Sequence, residues 1–263
     1  MTGEDIFVEH DGLAFRCRLD GPKQDAPWII FSNSMLTDVT IWDAQVAALR
    51  GRYRILRYDQ RGHGKSSVPQ APCTFDQLGS DLLALMDYFG VPSCVFVGLS
   101  MGVPTGLHLV SRHPERVEKL VFLDGQSATA PGGAKTWEDR IVDARRLGMS
   151  GLADLTIARW FSPAFREAGR ARKPRDAAAG MSLEGYIACA RALQNFDFTD
   201  VLAGIGVPTL VMAGANDGNM PISMARLREA IPCAVMHIIP DAGHIPNYEQ
   251  PETVNRHLLD FLG

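Results

Sequence analysis

The nine residues Cys94-Val95-Phe96-Val97-Gly98-Leu99-Ser100-Met101-Gly102 constrain the fold more than any other stretch. A short apolar strand runs into Gly-x-Ser-x-Gly, and an apolar segment of helical length follows. That is the layout of a nucleophile elbow, in which a serine hydroxyl stands exposed on a sharp strand-to-helix turn. A Cβ two residues before or after the serine would strike the neighbouring strand or helix, and glycine occupies both places. The helix opens with unpaired N–H groups, and the N–H of Met101 can face an oxyanion. The five-residue pattern alone is weak in a chain with 25 glycines. The strand before it and the helix after it give it weight.

The chain has 263 residues, 46% of them hydrophobic and 21% charged, which suits one large domain or a domain with an inserted subdomain. A net charge of -4 gives no reason to expect nucleic acid or an anionic membrane as partner. Five cysteines (17, 73, 94, 189 and 233) without a Cys-x-x-Cys pair argue against a disulfide framework and against a zinc site. The start, Met-Thr-Gly-Glu-Asp, lacks the basic and apolar regions of a signal peptide. No apolar run reaches the length of a membrane span. A reduced, cytoplasmic protein is the expectation.

Residues 6–9 and 13–19, joined across Asp11-Gly12, read as an antiparallel hairpin. Residues 28–31 form an unbroken apolar run, as expected for a strand covered on both faces. The loop Ser32-Asn33-Ser34-Met35 follows. A helix is expected over 41–49, a strand over 54–58, and an amphipathic helix over 75–89 that Gly90 and Pro92 end. After the elbow come its helix, to about Arg112, and a strand over 119–123. Strand–helix alternation of this kind implies an α/β fold with a mostly parallel sheet between two layers of helices. The rhythm then breaks. From 126 to 197 only helical stretches are visible, near 136–147, 151–160 and 182–193. It resumes with a strand at 209–213, a helix at 222–231, a strand at 234–239 and a last helix at 252–262 behind Pro251. The reading is eight strands, with core segments 1–125 and 198–263 and a helical cap, 126–197, inserted after the sixth strand.

A serine hydroxyl needs an adjacent base to act as a nucleophile. Histidine suits the task because its ordinary pKa lets it accept and return a proton near neutrality. His244 follows the last strand, and Asp217 follows the strand before it, where a carboxylate could fix the imidazole. The order Ser100, Asp217, His244 is that of α/β-hydrolases. Parallel strands put their carboxyl ends on one edge, so these three distant loops should converge there. Asp217 also sits in Asn-Asp-Gly, ordinary turn chemistry. Asp124, ending the strand before, is the reserve acid. His63 is the rival histidine, although its Gly-rich loop favours a packing role. For the oxyanion hole, the partner of Met101 should come from the loop after residue 31, with Met35 first and Ser34 as fallback.

Over nearly its full length the chain resembles the α/β-hydrolase family, and within it the 3-oxoadipate enol-lactonases. The likeness rests on Ser32-Asn33-Ser34, Trp42-Asp43, Leu56-Arg57-Tyr58-Asp59, Arg61-Gly62-His63-Gly64-Lys65-Ser66 and the elbow. Arg159-Trp160-Phe161-Ser162-Pro163-Ala164-Phe165, Gly185-Tyr186 and Glu249-Gln250-Pro251-Glu252 extend it. Three places depart from the subgroup: Val103-Pro104 follows Gly102, Met35-Leu36 replaces Leu-Gly, and Asn216 stands where an acid is common.

The resemblance implies a serine hydrolase that opens a small carboxylate-bearing lactone without metal or cofactor. A substrate carboxylate calls for a cation near the pocket, and Arg159 and Arg140 in the cap are the candidates. Trp137 and Trp160 read as cap packing or pocket wall. The basic residues Arg166, Arg170, Arg172, Lys173 and Arg175 read as a solvated cap loop rather than a nucleic-acid site. The implied partner is a small lactone or ester, and assembly into a homo-oligomer is left open. Rival readings on the same fold are a carboxylesterase or other lactonase, a perhydrolase-type haloperoxidase, a cofactor-free dioxygenase, and a ligand sensor with little turnover.

Overall fold

The computed structural model describes residues 3–22 and 25–263. Met1 and Thr2, part of the start read above as no signal peptide, lie outside the described residues. The eight strands are β1 (Asp5–His10), β2 (Leu13–Asp20), β3 (Trp28–Ser32), β4 (Arg54–Tyr58), β5 (Cys94–Leu99), β6 (Val117–Leu123), β7 (Thr209–Gly214) and β8 (Ala234–Ile239). They form one sheet in the order β1-β2-β4-β3-β5-β6-β7-β8. Only β1 with β2 and β2 with β4 pair antiparallel; every other pairing is parallel. The hairpin turns at Asp11 and Gly12, whose φ values of 52° and 71° fit the two-residue turn that matches strand twist.

The helices of the core are α1 (Asp43–Leu49), α2 (Phe75–Tyr88) and α3 (Gly102–Arg112), followed after the cap by α8 (Met220–Ala230), α9 (Pro246–Glu249) and α10 (Pro251–Leu262). Alternate residues of the central strands feed two cores. Ile29, Phe31, Val95, Val97 and Val121 pack on one face, and Ile30, Phe96, Leu120, Phe122 and Val211 on the other. Burial on both faces explains why β3 and β5 read as unbroken apolar runs. The chain leaves β3 towards β4 on one side and leaves β5 towards β6 on the other. A crevice therefore opens between the loops after β3 and β5, at the carboxyl edge of the sheet.

Between β6 and β7 lie α4 (Gly133–Trp160), α5 (Pro163–Glu167), α6 (Arg172–Gly180) and α7 (Leu183–Gln194). α4 is two helical arms meeting at Gly148, whose φ of 68° and ψ of 172° are not helical. The two stretches expected near 136–147 and 151–160 are those arms. A bridge between Ala128 and Asp197 brings the two ends of this helical block together. Thr129 N donates to Phe196 O at 2.9 Å and Phe198 N to Ser127 O at 2.8 Å.

The basic stretch is not the loop expected from its charge. It folds as α5, a turn and α6, with Ser162 capping α5 and Phe165, Pro174 and Ala178 buried, while the charged side chains stay near the surface: Lys173 pairs with Asp43 at 2.6 Å and Arg175 with Asp154 at 2.7 Å. Arg170 lies over the Phe165 ring at 4.3 Å. Two smaller differences follow from turns the periodicity hid. Ile41 and Trp42 belong to a 3-10 turn, Val39–Trp42, ahead of α1, and Thr199–Gly204 is another before β7. Among the described residues no helix is long and apolar enough to cross a membrane.

Candidate active site

Ser100 has a φ of 54°, a left-handed conformation that costs a residue with a side chain roughly 1–2 kcal/mol. The turn is too tight for anything larger than glycine on either side. A Cβ on Gly98 would lie 2.4 Å from Gly102 O, and one on Gly102 would lie 2.5 Å from Ser32 O. Ser32 pairs with Gly98 across the sheet, so the elbow sits at the crevice between β3 and β5. Val103 is fully buried under the elbow and leaves no room for a side chain on Gly125, where a Cβ would meet it at 2.3 Å.

The loops after β5, β7 and β8 bring three side chains into one hydrogen-bonded chain. His244 Nε2 lies 3.0 Å from Ser100 Oγ, and His244 Nδ1 lies 2.6 Å from Asp217 Oδ2. With the proton on Nδ1, the ring donates to Asp217 and accepts from the serine hydroxyl, an arrangement able to draw the proton off the hydroxyl. Burial pulls the Asp217 carboxyl up. The His244 imidazole, the Asp124 carboxyl and the Arg159 charge outweigh it and hold Asp217 below its ordinary value. Asp217 is also the turn residue its sequence suggested, since its N–H donates to Gly214 O at 3.1 Å.

Asp124, the reserve acid, is fully buried and does not bond the histidine. Its Oδ1 accepts from Gly214 N at 3.0 Å. His63, the rival base, belongs to a different environment. Its Nδ1 bonds Arg61 O at 3.1 Å, and complete burial pushes its pKa down to about 4.

Met35 and Met101 both line the cavity beside Ser100. Ser34 to Thr37 form a turn in which Thr37 N and Oγ1 donate to Ser34 O at 3.3 and 2.8 Å. Leu36 takes a φ of 66° at the third position, where a type II turn needs a left-handed residue. Among the described residues, neither the Met35 nor the Met101 N–H is bonded to another protein group. The Ser34 hydroxyl is buried and unbonded.

The sequence motifs did not say what steadies this loop. Asn33, fully buried, donates to Tyr58 O at 2.9 Å and accepts from Trp42 Nε1 at 2.9 Å, while Gln60 Nε2 reaches Asn33 O at 3.0 Å. Asp59 accepts from Val39 N at 2.8 Å and Lys65 N at 3.0 Å, and burial pushes its pKa up to about 6. Glu249 was legible only as part of a motif. It ties the histidine loop to the turn between α4 and α5, accepting from Gly243 N at 2.8 Å and Ser162 N at 2.9 Å.

Residues of α4 and α7 and the loops after β3, β5, β6, β7 and β8 line a cavity of about 430 Å³ at Ser100, within the range of small-molecule sites. Trp160 is its wall. Its ring lies over His244 with centroids 5.8 Å apart and planes 28° apart, and its buried Nε1 has no protein partner among the described residues. Arg140 and Arg159 line the same cavity with no acidic partner among the described residues. Burial first, and then the neighbouring Arg159, push Arg140 down to about 10, so it remains a cation at neutral pH. Desolvation lowers Arg159 as well, although much of its surface stays open to the space it lines. Arg140 also lies 4.6 Å from the Trp137 ring centre.

A parallel sheet with this elbow, and a cavity above it, define an α/β hydrolase, and the chain belongs to that family: the model of the alpha/beta hydrolase family matches residues 30–257. Among its relatives is 3-oxoadipate enol-lactonase 2 of Acinetobacter baylyi, 37% identical over 97% of this chain and 92% of that protein. The crystal structure of the enol-lactonase from Burkholderia xenovorans LB400 superimposes with a TM-score of 0.93 at 37% identity, covering 98% of this chain and 99% of that one. A protein of Caulobacter sp. (strain K31) named "Putative carbamate hydrolase RutD" is 31% identical over 92% of each chain.

Proposed function

We propose that this chain opens a small lactone bearing a free carboxylate, with 3-oxoadipate enol-lactone as the substrate. The observation that carries the reading is one cavity holding both a serine–histidine–aspartate chain and two arginines without acidic partners. Two guanidiniums on one cavity wall, neither in a salt bridge among the described residues, fit an anionic guest.

In this reading Ser100 attacks the lactone carbonyl as His244 takes its proton and Asp217 steadies the imidazolium. The N–H groups of Met35 and Met101 receive the oxyanion, each worth about 3–4 kcal/mol of barrier by comparison with another hydrolase. Collapse breaks the ring C–O bond. An enolate is less basic than an alkoxide, so it leaves more readily, and the enol then becomes a ketone. A water activated by His244 frees Ser100. Arg140 and Arg159 hold the carboxylate, Trp160 Nε1 is a further donor, and residues 126–197 act as the cap that shapes the pocket. Five free thiols fit a reducing compartment such as the cytoplasm.

The test compares a carboxylated enol-lactone with a neutral ester of similar size. Arg159→Met and Arg140→Met should each lower kcat/KM for the lactone about 10–100-fold, the worth of one charge-assisted contact, and leave the ester within about 3-fold. Equal losses on both substrates would overturn the anion-site reading. A carbamate in the same panel, turned over faster than the lactone, would move the substrate to the other class of relatives.

A further inference from the structure

We propose that Asp124 is a positioning residue: it keeps its proton and donates it in a hydrogen bond to the Asp217 carboxylate, steadying that carboxylate against His244. The inference rests on the triad reading above and goes beyond it.

Asp124 follows the last residue of β6 in a strained left-handed conformation, φ 41°, and is fully buried. Its Oδ1 is spent on Gly214 N at 3.0 Å. Its Oδ2 is buried and meets no donor among the described residues. A buried carboxylate oxygen without a donor is costly. A second carboxyl group stands beside Asp124. One oxygen of Asp124, one of Asp217 and a ring nitrogen of His244 lie within 4.8 Å of one another. Two ionised carboxylates at that range, out of water, repel; one shared proton turns the contact into a hydrogen bond and satisfies the orphan oxygen.

The surroundings decide which acid carries the proton. Asp217 faces the His244 imidazole at 2.6 Å and feels the charges of Arg159 and Arg140, all of which favour its ionised form. Among the described residues, Asp124 bonds a backbone N–H alone, with the Asp217 carboxyl and the His244 ring within 4.8 Å and no cation paired to it. Burial raises the Asp124 pKa well above the ordinary range, and the Asp217 charge raises it further. Asp217 is held in the opposite direction. The consequence is mechanical. Asp217 stands in an exposed turn, 215–218, while Asp124 is anchored to the rigid end of β6. The hydrogen bond lends the turn the rigidity of the sheet.

The experiment compares Asp124→Asn, Asp124→Ala, Asp217→Asn and Ser100→Ala with the parent. Asparagine can accept from Gly214 and donate to Asp217 without ionising, so Asp124→Asn should keep kcat within about 3-fold. Asp124→Ala should lose about 10–100-fold in kcat with KM nearly unchanged, the size expected of a misplaced catalytic group. Its Asp217, one donor poorer, should pull harder on the imidazolium and move the acid limb of the kcat/KM profile up by about half to one pH unit. The infrared difference between parent and Asp124→Asn at neutral pH should contain a protonated-carboxyl band, a readout that does not depend on the alanine variant folding. A missing band, an asparagine variant as impaired as Asp217→Asn, or a folded alanine variant with parental kcat and acid limb would each overturn the proposal. Turnover surviving in Ser100→Ala would instead defeat the triad reading and leave the infrared result standing.

Discussion

Replacing Glu249 with glutamine tests how the histidine loop is held. Glu249 is 1% exposed and ends α9. Its Oε2 accepts from Gly243 N, next to His244, and its Oε1 accepts from Ser162 N at the start of α5. The neighbouring His244 N donates to Trp160 O at 3.0 Å. One carboxylate thus couples the histidine loop to the turn between α4 and α5. Glutamine preserves the shape but turns one acceptor into a donor, so one backbone N–H must face an NH₂ group. The loss combines a charge-assisted hydrogen bond with a buried N–H left unpaired, and after local adjustment comes to about 2–4 kcal/mol. For a chain of this length that lowers Tm by roughly 4–8 °C. Loosening the residue beside His244 should also lower kcat about 10-fold. Thermal unfolding followed by circular dichroism and steady-state ester hydrolysis measure the two effects. A glutamine variant with Tm within about 1 °C of the parent and unchanged kcat would refute the reasoning.

Two further outcomes are expected. Ser100→Ala should reduce kcat by about 10⁴–10⁶ with the parental circular dichroism spectrum, because members of a triad act together; turnover near the parent's would reject Ser100 as nucleophile. His63 is neutral in the folded protein, with its pKa depressed to about 4, so the stability this contributes is present above about pH 6.5 and is lost as pH falls towards 4. The loss reaches about 3 kcal/mol across that window, and urea titrations from pH 7 to 4 should show that slope removed in His63→Asn; an unchanged slope would show that other groups carry it.

Much of the architecture is written locally. The body of strand β3 follows from an unbroken apolar run, and the elbow follows from two glycines at fixed spacing. The order Ser100, Asp217, His244 along the chain was enough to expect their convergence, because a parallel sheet gathers its loops at one edge. The basic stretch is solvated, as its charge suggested, but it is helical rather than a loop, and its partners Asp43 and Asp154 lie 130 and 21 residues away. Asn33 and Glu249 were visible as motif letters without roles, since a buried amide or carboxylate reveals what it holds only once its partners are in place.

The sequence by itself determined the strand–helix rhythm, the sharp turn at Ser100 and the identity of the groups able to react, because period and spacing are properties of neighbouring residues. The tertiary structure decided which of these groups meet and which remain unpaired. Arg140 and Arg159, far from Ser100 in sequence, share its cavity without a salt-bridge partner among the described residues, and Asp124 lies beside Asp217 because β6 and β7 are neighbours in the sheet. Burial and distance set the free energy of a charge, and neither exists until the chain has folded.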